Sequence, residues 1–343
     1  MEASKSYSKI FITLIVVLVI FFLLNICLGS VNIPIKGVFG AIIEDPETKN
    51  SWKHIILNYR IPKAFTALLV GSGLGISGLL MQTLFRNPLA GPYVLGLSSG
   101  ASLGVAVVIL GSALFGGAFS AFLLSKWSLV IASSLGSFLV LLAVILVSLK
   151  VKDTMAILII GLMFASVTAA IVNMLSYFST AEQLQRYVFW SFGSLGNLSW
   201  NELLILSILY SVGILLTILS IKSLNALLLG DNYAKSLGLN LKKSRFIIII
   251  ATSCLAGSIT AFAGPIAFIG LAVPHLTKLM FNTSNHRVLV PAIILSGSIL
   301  MLICDSISQL PTSEYTLPIN AVTSLIGAPV IIWLLMRKKK MFV

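Results

Sequence analysis

The sequence predicts an all-α, polytopic membrane protein with about ten transmembrane helices. Two observations favour this fold class: 58% of the 343 residues are apolar and only 10% are charged, and the mean hydropathy is +1.05. Soluble domains carry roughly 25% charged and about 45–50% apolar residues. Because one bilayer span needs about 20 predominantly apolar residues, the apolar content suffices for on the order of ten spans. A water-soluble enzyme, a disordered chain and a disulfide scaffold are excluded.

Ten apolar stretches follow one another along the chain. The first follows a basic N-terminus, and its length of about 19 residues exceeds the 7–15 of a cleaved signal peptide, so we expect it to be retained as a span. Gly264 and Pro265 separate the seventh stretch from the short eighth one, and the span boundaries between residues 264 and 290 stay open. The predicted spans are 10–28, 64–85, 93–114, 129–149, 155–178, 203–221, 246–263, 266–281, 289–310 and 317–336.

Basic residues are distributed unevenly between the two sides that this order of spans defines. With both termini inside, sixteen of the 23 Lys and Arg residues lie on inner segments and seven on outer segments. Cytoplasmic loops are enriched in Lys and Arg, so we expect a multi-pass membrane protein with both termini cytoplasmic. The formal net charge of +13 is then an orientation signal, and nucleic acid is not expected as a partner.

Motifs for catalysis and for nucleotide hydrolysis are missing from the sequence. It contains no G-x-x-x-x-G-K-[ST] and no H-E-x-x-H, so any ATP hydrolysis must come from another subunit. Gly73, Gly75 and Gly78 match G-x-G-x-x-G, but they lie in the middle of an apolar stretch, where close packing of helices is the better interpretation. The three cysteines stand alone in apolar runs and the three histidines are dispersed. We expect no cofactor, no metal and no enzymatic activity.

Asp305 is the one acidic residue inside a predicted span. Ionisable residues within membrane spans are rare and frequently functional. Structural pairing with a neighbouring hydroxyl or amide group is the alternative, and the sequence leaves both open. A carrier driven by protons or sodium ions would be expected to contain several such residues, so their scarcity argues against ion-driven transport.

The inner polar segment 222–245 is long enough to form structure of its own. Leucines recur at helical spacing over residues 224–228, Gly230 and Asp231 interrupt the pattern, and a second short helix is predicted after the break. Two short amphipathic helices with a glycine hinge favour a compact docking surface. Adsorption of these helices to the membrane interface is the alternative.

Five strings of the sequence carry a family resemblance. They are RIPKAFTALLVGSGLGISGLLMQTLFRNPLAGPYVLGLSSGAS, LGDNYAKSLGL, AGPIAFIGLAVPH, HRVLVP and LPINAVTSLIGAPVIIWLL. In order and spacing they resemble the permease subunits of binding-protein-dependent ABC importers for iron-siderophore complexes, haem or vitamin B12, the FecCD-type family. The resemblance covers residues 60–336. It implies the type II ABC importer permease fold, with a single transmembrane domain over 1–343 and cytoplasmic coupling helices at 222–245.

The same resemblance implies a complex of several proteins. Its parts are a homodimer or a pair with a homologous permease, two cytoplasmic ATPase subunits, an extracytoplasmic substrate-binding protein and membrane lipid. The cargo implied is an iron chelate, either a ferric siderophore or haem, and vitamin B12 (cobalamin) is the alternative. An autonomous secondary transporter or channel and a membrane-embedded enzyme are the other classes considered.

The resemblance also implies roles for particular residues. Contacts to the ATPase are implied for Gly230, Asp231, Ala234, Leu237 and Gly238, and a cytoplasmic gate for Asn87, Leu89 and Thr154. The family often docks its binding protein with two arginines in R-x-P-R and a third before the last span. Arg60 retains the first, Lys63 replaces the second and Gln309 stands at the third. Lysine keeps the charge but loses the bidentate fork of arginine, so we expect docking in the same place with altered detail.

Overall fold

A computed structural model of the chain describes residues 7–111, 125–148, 154–196, 198–310 and 315–336. All regular secondary structure within these ranges is helical. The physical reason is the bilayer, which offers no hydrogen-bond partner to backbone N–H and C=O groups, whereas a helix satisfies them within one segment. The predicted all-α class is therefore confirmed.

The helices are numbered in chain order within the described ranges. They are α1 (Ser8–Cys27), α2 (Ile35–Ile42), α3 (Asn50–Ile55), α4 (Ile61–Phe85), α5 (Leu97–Gly111), α6 (Lys126–Ser148), α7 (Thr154–Tyr177), α8 (Ala181–Ser191), α9 (Trp200–Leu228), α10 (Asp231–Ser236), α11 (Leu241–Thr252), α12 (Ser258–Ala263), α13 (Ile269–Phe281), α14 (His286–Ser308) and α15 (Ile319–Met336). Two π-helical turns, Ile56–Arg60 and Ser253–Gly257, join α3 to α4 and α11 to α12. Pro92–Leu95 forms a 3-10 turn before α5.

Ten apolar helical runs in the described part of the chain match the ten predicted spans one for one. Seven are long and apolar enough to cross a membrane, and three shorter apolar helices, α5, α13 and α15, complete the set. The break at Gly264 is real, because α12 ends at Ala263 and α13 begins at Ile269. Gly264 has a φ of +77°, which glycine adopts without the steric cost that a side chain would impose.

One helix is longer than the span predicted on it, and one predicted helix is wrong. The helical run that carries the second predicted span begins well before residue 64, because α3, a π turn and α4 form one run over Asn50–Phe85. The first short helix predicted within 222–245 is the end of α9, which continues without interruption to Leu228. Leu224 and Leu227 are buried, so their helical spacing reflects packing along a long helix and not a separate amphipathic one.

Two compact units make up the chain. The first comprises Met1–Ile76, Leu195–Ser207 and Ala267–Val343, and the second comprises Ser77–Ser194 and Ile208–Ile266. Each unit therefore combines segments that are far apart in the sequence.

In the first unit, α14 is the helix against which the others pack. It contacts α1, α13 and α15, around a core of Leu14, Phe281, Ala292 and Ile299. The helix α4 approaches α14 in antiparallel fashion, since Gly71 faces Gly297 and Gly75 faces Ile293. A Cβ atom on Gly71 would overlap the carbonyl oxygen of Gly297, so the glycine permits the close contact that apolar helices need in lipid. Packing is thus confirmed as the role of Gly75 in the G-x-G-x-x-G match.

In the second unit, α5 holds the central position. It packs against α6, α7 and α8, and its buried residues join a core made by Val105, Ala106, Ile109, Leu110 and Val172. A Cβ atom on Gly100 would meet the backbone of Gly136, and one on Gly104 would meet that of Ala132. Small residues therefore set the distance between α5 and α6, as they do between α4 and α14.

Candidate functional site

Asp305 of α14 is the centre of a buried polar cluster in the first unit. The residue is 1% exposed, and its Oδ1 lies 3.0 Å from the Lys63 Nζ. Its Oδ2 accepts hydrogen bonds from the Asn25 amide at 2.9 Å and from the Gln309 amide at 2.8 Å. Burying a carboxylate is costly unless it is paired and hydrogen-bonded. The three partners meet this requirement, and the geometry matches the structural interpretation of Asp305.

Local helix geometry brings these side chains together. Gln309 follows Asp305 by four residues and lies one helical turn away on the same face. Lys63 stands in the first turn of α4, and Asn25 lies near the end of α1, where its amide also donates to the Ser306 hydroxyl at 3.1 Å. Three helices are thus tied to one carboxylate. Sequence reasoning missed Asn25, although an amide near the end of an otherwise apolar span was a visible signal.

Arg60 caps the end of α1. Its Nη1 donates to the carbonyl oxygens of Ile26 at 2.9 Å and Cys27 at 2.8 Å, and its Nη2 donates to that of Val31 at 2.5 Å. The last carbonyl groups of a helix have no partner within the helix and carry partial negative charge, so a guanidinium is well suited to them. Burial of Arg60 follows from these contacts.

The three predicted docking residues therefore lie in one unit, and two of them share a carboxylate. Arg60 and Gln309 are buried, whereas the Lys63 side chain keeps 21% of its surface exposed. In this conformation Lys63 is the predicted docking residue with an accessible charge.

A second polar cluster surrounds Asp231, the first residue of α10, in the second unit. Its Oδ1 lies 2.5 Å from an Arg86 Nη2 atom, and its Oδ2 lies 2.6 Å from an Arg245 Nη2 atom. The Asp231 side chain is 33% exposed and that of Arg86 is 45% exposed. Sequence reasoning named Asp231 but missed both arginines, because ion pairs between distant segments leave no periodic pattern.

Two glycines set off α10 from its neighbours. Gly230 has a φ of +110° before the helix and Gly238 one of +79° after it, in the left-handed region that favours glycine. Between them, Ala234 is buried and Leu237 is exposed. Leu229 and Tyr233 are also exposed, so the α10 segment (residues 229–238) carries three exposed apolar side chains, of which the sequence predicted only Leu237.

The predicted gate residues Asn87 and Leu89 lie in the 86–92 turn, which follows α4. The Asn87 Oδ1 accepts a hydrogen bond from the Leu89 backbone N–H at 2.9 Å, an Asx turn of the kind that asparagine favours. Leu89 is exposed. Thr154 is the first residue of α7, and its side chain lies outside the part of the chain that is described.

The His, Cys, Asp and Glu side chains of the described ranges are dispersed. There, no group of three or more His, Cys, Asp or Glu side chains is arranged to hold a metal ion. Cys304 is buried, Cys27 and Cys254 are half-buried, and none of the three forms a disulfide.

The ten apolar helical runs of the described residues, which bury few charged side chains, are typical of a multi-pass membrane protein. A model of the FecCD transport family matches residues 17–337. The chain belongs to this family, and the predicted resemblance is confirmed.

Two transport permeases and one solved structure are similar to this chain over most of their length. A hemin transport system permease protein, HmuU, of Yersinia pestis is 34% identical over 320 residues, which cover 93% of this chain and 94% of that protein. A vitamin B12 import system permease protein, BtuC, of Klebsiella pneumoniae is 36% identical over 83% of each chain. The solved structure of a metal-chelate type ABC transporter in an inward-facing conformation matches with a TM-score of 0.83 and 31% identity, covering 96% of this chain and all of the other.

Proposed function

We propose that this chain is the permease subunit of an ATP-driven importer and forms the path for an iron chelate, a ferric siderophore or haem, delivered by a substrate-binding protein. The observation that carries this proposal is the structural match to a metal-chelate type ABC transporter over nearly the whole chain. Import of vitamin B12 by the same mechanism is the second candidate, because the chain is equally similar to a vitamin B12 permease.

The proposed assembly contains two copies of this chain, or one copy and a homologous permease, as a single transmembrane domain each. Both termini lie in the cytoplasm, and the protein resides in the bacterial cytoplasmic membrane. The excess of Lys and Arg on the inner segments supports this orientation.

The α10 segment is the proposed contact to the ATPase. Its exposed apolar residues Leu229, Tyr233 and Leu237 suit an apolar groove on a soluble subunit, because exposed apolar side chains that cluster on a surface are typical of interaction sites. Gly230 and Gly238 bound α10 with positive φ angles, and buried Ala234 packs this short helix against the rest of the permease. Asn87, Leu89 and Thr154 are the proposed cytoplasmic gate.

Arg60, Lys63 and Gln309 are the proposed docking residues for the substrate-binding protein. Their location in one unit and the partial exposure of Lys63 support this role. The ammonium of Lys63 is partly exposed but already paired with Asp305, so this surface offers a partly neutralised point charge where a guanidinium would offer a bidentate fork.

Reconstitution of the permease with its ATPase in lipid vesicles tests the transport function. The binding protein of the same system is supplied outside with haemin, a ferric hydroxamate siderophore or cyanocobalamin, and ATP is enclosed with the ATPase. We expect uptake of one iron chelate that stops when ATP or the ATPase is omitted. Uptake that continues without the ATPase would overturn the proposal, and uptake of cyanocobalamin alone would select the second candidate.

Binding kinetics of the substrate-binding protein test the docking role separately. Replacing Lys63 by Arg keeps the charge and restores the fork, so we expect tighter binding, whereas Lys63→Gln should weaken it and reduce its dependence on salt. Arg186→Gln is the matched control, because Arg186 is an exposed cation of the second unit paired with Glu182. Equal affinities for all three variants would exclude Lys63 from the docking surface.

A further inference from the structure

The Asp231 carboxylate is engaged inside the permease at both of its oxygen atoms. One oxygen faces Arg86 and the other faces Arg245, each within 2.6 Å of a guanidinium nitrogen. The negative charge of a carboxylate that lies between two guanidiniums is already offset, so it offers little attraction to a cation of a partner protein. Asp231 is therefore less available to the ATPase than exposed Leu237, although the family resemblance implies an ATPase contact for both residues.

Arg86 connects this carboxylate to the 86–92 turn. It is the first residue of that turn and immediately precedes Asn87, whose side chain orders the turn through the Leu89 N–H. The φ of Arg86 is +48°, a region that L residues rarely occupy. Arg86 thus combines an unusual backbone conformation at the start of the turn with a side chain that reaches Asp231.

Arg245 extends the connection to α11. Its side chain is 18% exposed and lies on the helix that follows the α10 segment. Asp231 consequently joins three parts of the second unit: the 86–92 turn, the α10 segment and α11.

We propose that Asp231 is a positioning residue that ties the α10 segment to the 86–92 turn through Arg86, with Arg245 as its second support, so that displacement of the α10 segment moves the turn directly. This inference rests on the proposed function, in which the ATPase moves the α10 segment and the 86–92 turn belongs to the gate. The partial exposure of all three side chains allows the ion pairs to break and reform, because water can replace either partner.

Hydrogen exchange of the permease alone, in lipid nanodiscs, tests the tie without any partner protein. Asp231→Asn keeps the shape of the side chain but removes its charge, and we expect amide exchange to accelerate by about threefold to tenfold in both the α10 segment and the 86–92 turn. Asp231→Glu should retain most of the protection. Lys243→Gln is the control, because it removes an exposed charge from α11 two residues before Arg245 and should change neither segment. Unchanged exchange in the 86–92 turn of Asp231→Asn would overturn the inference.

The complete importer provides the functional test. With Asp231→Asn, we expect the ATPase to remain bound and to hydrolyse ATP, while the cargo imported per ATP falls by roughly fivefold or more, as for a lost coupling between sites. Loss of the ATPase from the purified complex would identify Asp231 as a direct docking contact, which overturns the inference and leaves the proposed function standing. If the wild-type protein transports without an ATPase, the proposed function fails, and the exchange experiment still decides whether Asp231 ties the two segments.

Discussion

Asp305 in the first unit and Asp231 in the second each bind several partners through one carboxylate. They differ in solvent exposure and in the net charge of the cluster. Asp305 is buried and is satisfied by one ammonium and two amides, which makes the cluster electrically neutral. Asp231 is one-third exposed and lies between two guanidiniums, which leaves one positive charge in excess. A buried charge cannot give up its partner without a large penalty, whereas a half-exposed one can exchange its partner for water. The first cluster is a permanent anchor and the second is a joint that can open.

Removal of the buried Asp305 carboxylate should have the largest effect on stability of all the changes that distinguish the two clusters. We expect Asp305→Ala to lower the free energy of unfolding by about 3–5 kcal/mol, because it leaves the ammonium of Lys63 without its counter-charge and two amides without an acceptor. The loss is measured by thermal unfolding of the protein in detergent. The readout is the fraction of protein that stays monodisperse after heating.

The double variant Asp305→Asn with Lys63→Gln is the control for that experiment. It removes both charges and keeps hydrogen-bonding groups, so most of the stability should return. A double variant as unstable as Asp305→Ala would show that the charge pair is not the reason for the loss.

The close packing of α4 on α14 also positions the ion pair between Lys63 and Asp305. Lys63 and Gly71 are eight residues apart on α4, and their counterparts Asp305 and Gly297 are eight apart on α14, so a helix displaced at the glycines is also displaced at the ion pair. We expect Gly71→Ala to destabilise the protein by about 1–3 kcal/mol, as overpacking does. Thermal unfolding, in parallel with Gly257→Ala, measures this.

Gly257 is a suitable control because nothing lies within 4 Å of a Cβ atom placed there. In a helical conformation Ala is favoured over Gly by up to about 1 kcal/mol, so Gly257→Ala should be neutral or stabilising. Similar destabilisation by both variants would contradict the role given to the close helix contact.

The joint at Asp231 should contribute little to global stability. Exposed ion pairs are generally worth about 0–1 kcal/mol, so we expect Asp231→Ala to shift the unfolding midpoint far less than Asp305→Ala. Both variants are measured in the same thermal scan. Equal shifts would remove the distinction between anchor and joint.

A change in salt concentration should have the smallest effect, and it should affect the Asp231 cluster but not the Asp305 cluster. At about 1 M ionic strength the screening length falls to about 3 Å, so we expect amide exchange in the α10 segment to rise a few-fold between 0.1 and 1 M NaCl. The helical turn around Asp305 should keep its protection, since buried pairs are screened much less. Asp231→Asn, which has no ion pair to screen, should lose the salt response of the α10 segment.

The ten spans were predictable because lipid forces apolar segments to become helices and leaves a strong signal in the sequence. The prediction of a separate first short helix in 222–245 was wrong, because leucines at helical spacing are equally typical of the end of a long helix such as α9. The two carboxylates could be named from the sequence, but their partners could not. Asn25 lies 280 residues from Asp305, and Arg86 lies 145 residues from Asp231, and no periodic pattern connects residues so far apart.

The distance of Asn25 from Asp305 along the chain has a consequence for the order of synthesis. Ribosomes add about 5–20 residues per second, so the first helix waits on the order of tens of seconds before the carboxylate that its amide binds has been made. Arg60, by contrast, emerges only 33 residues after the Cys27 carbonyl that it binds. During biogenesis the end of α1 is therefore capped early by its own neighbourhood, and Asp305 completes the first unit only near the end of translation.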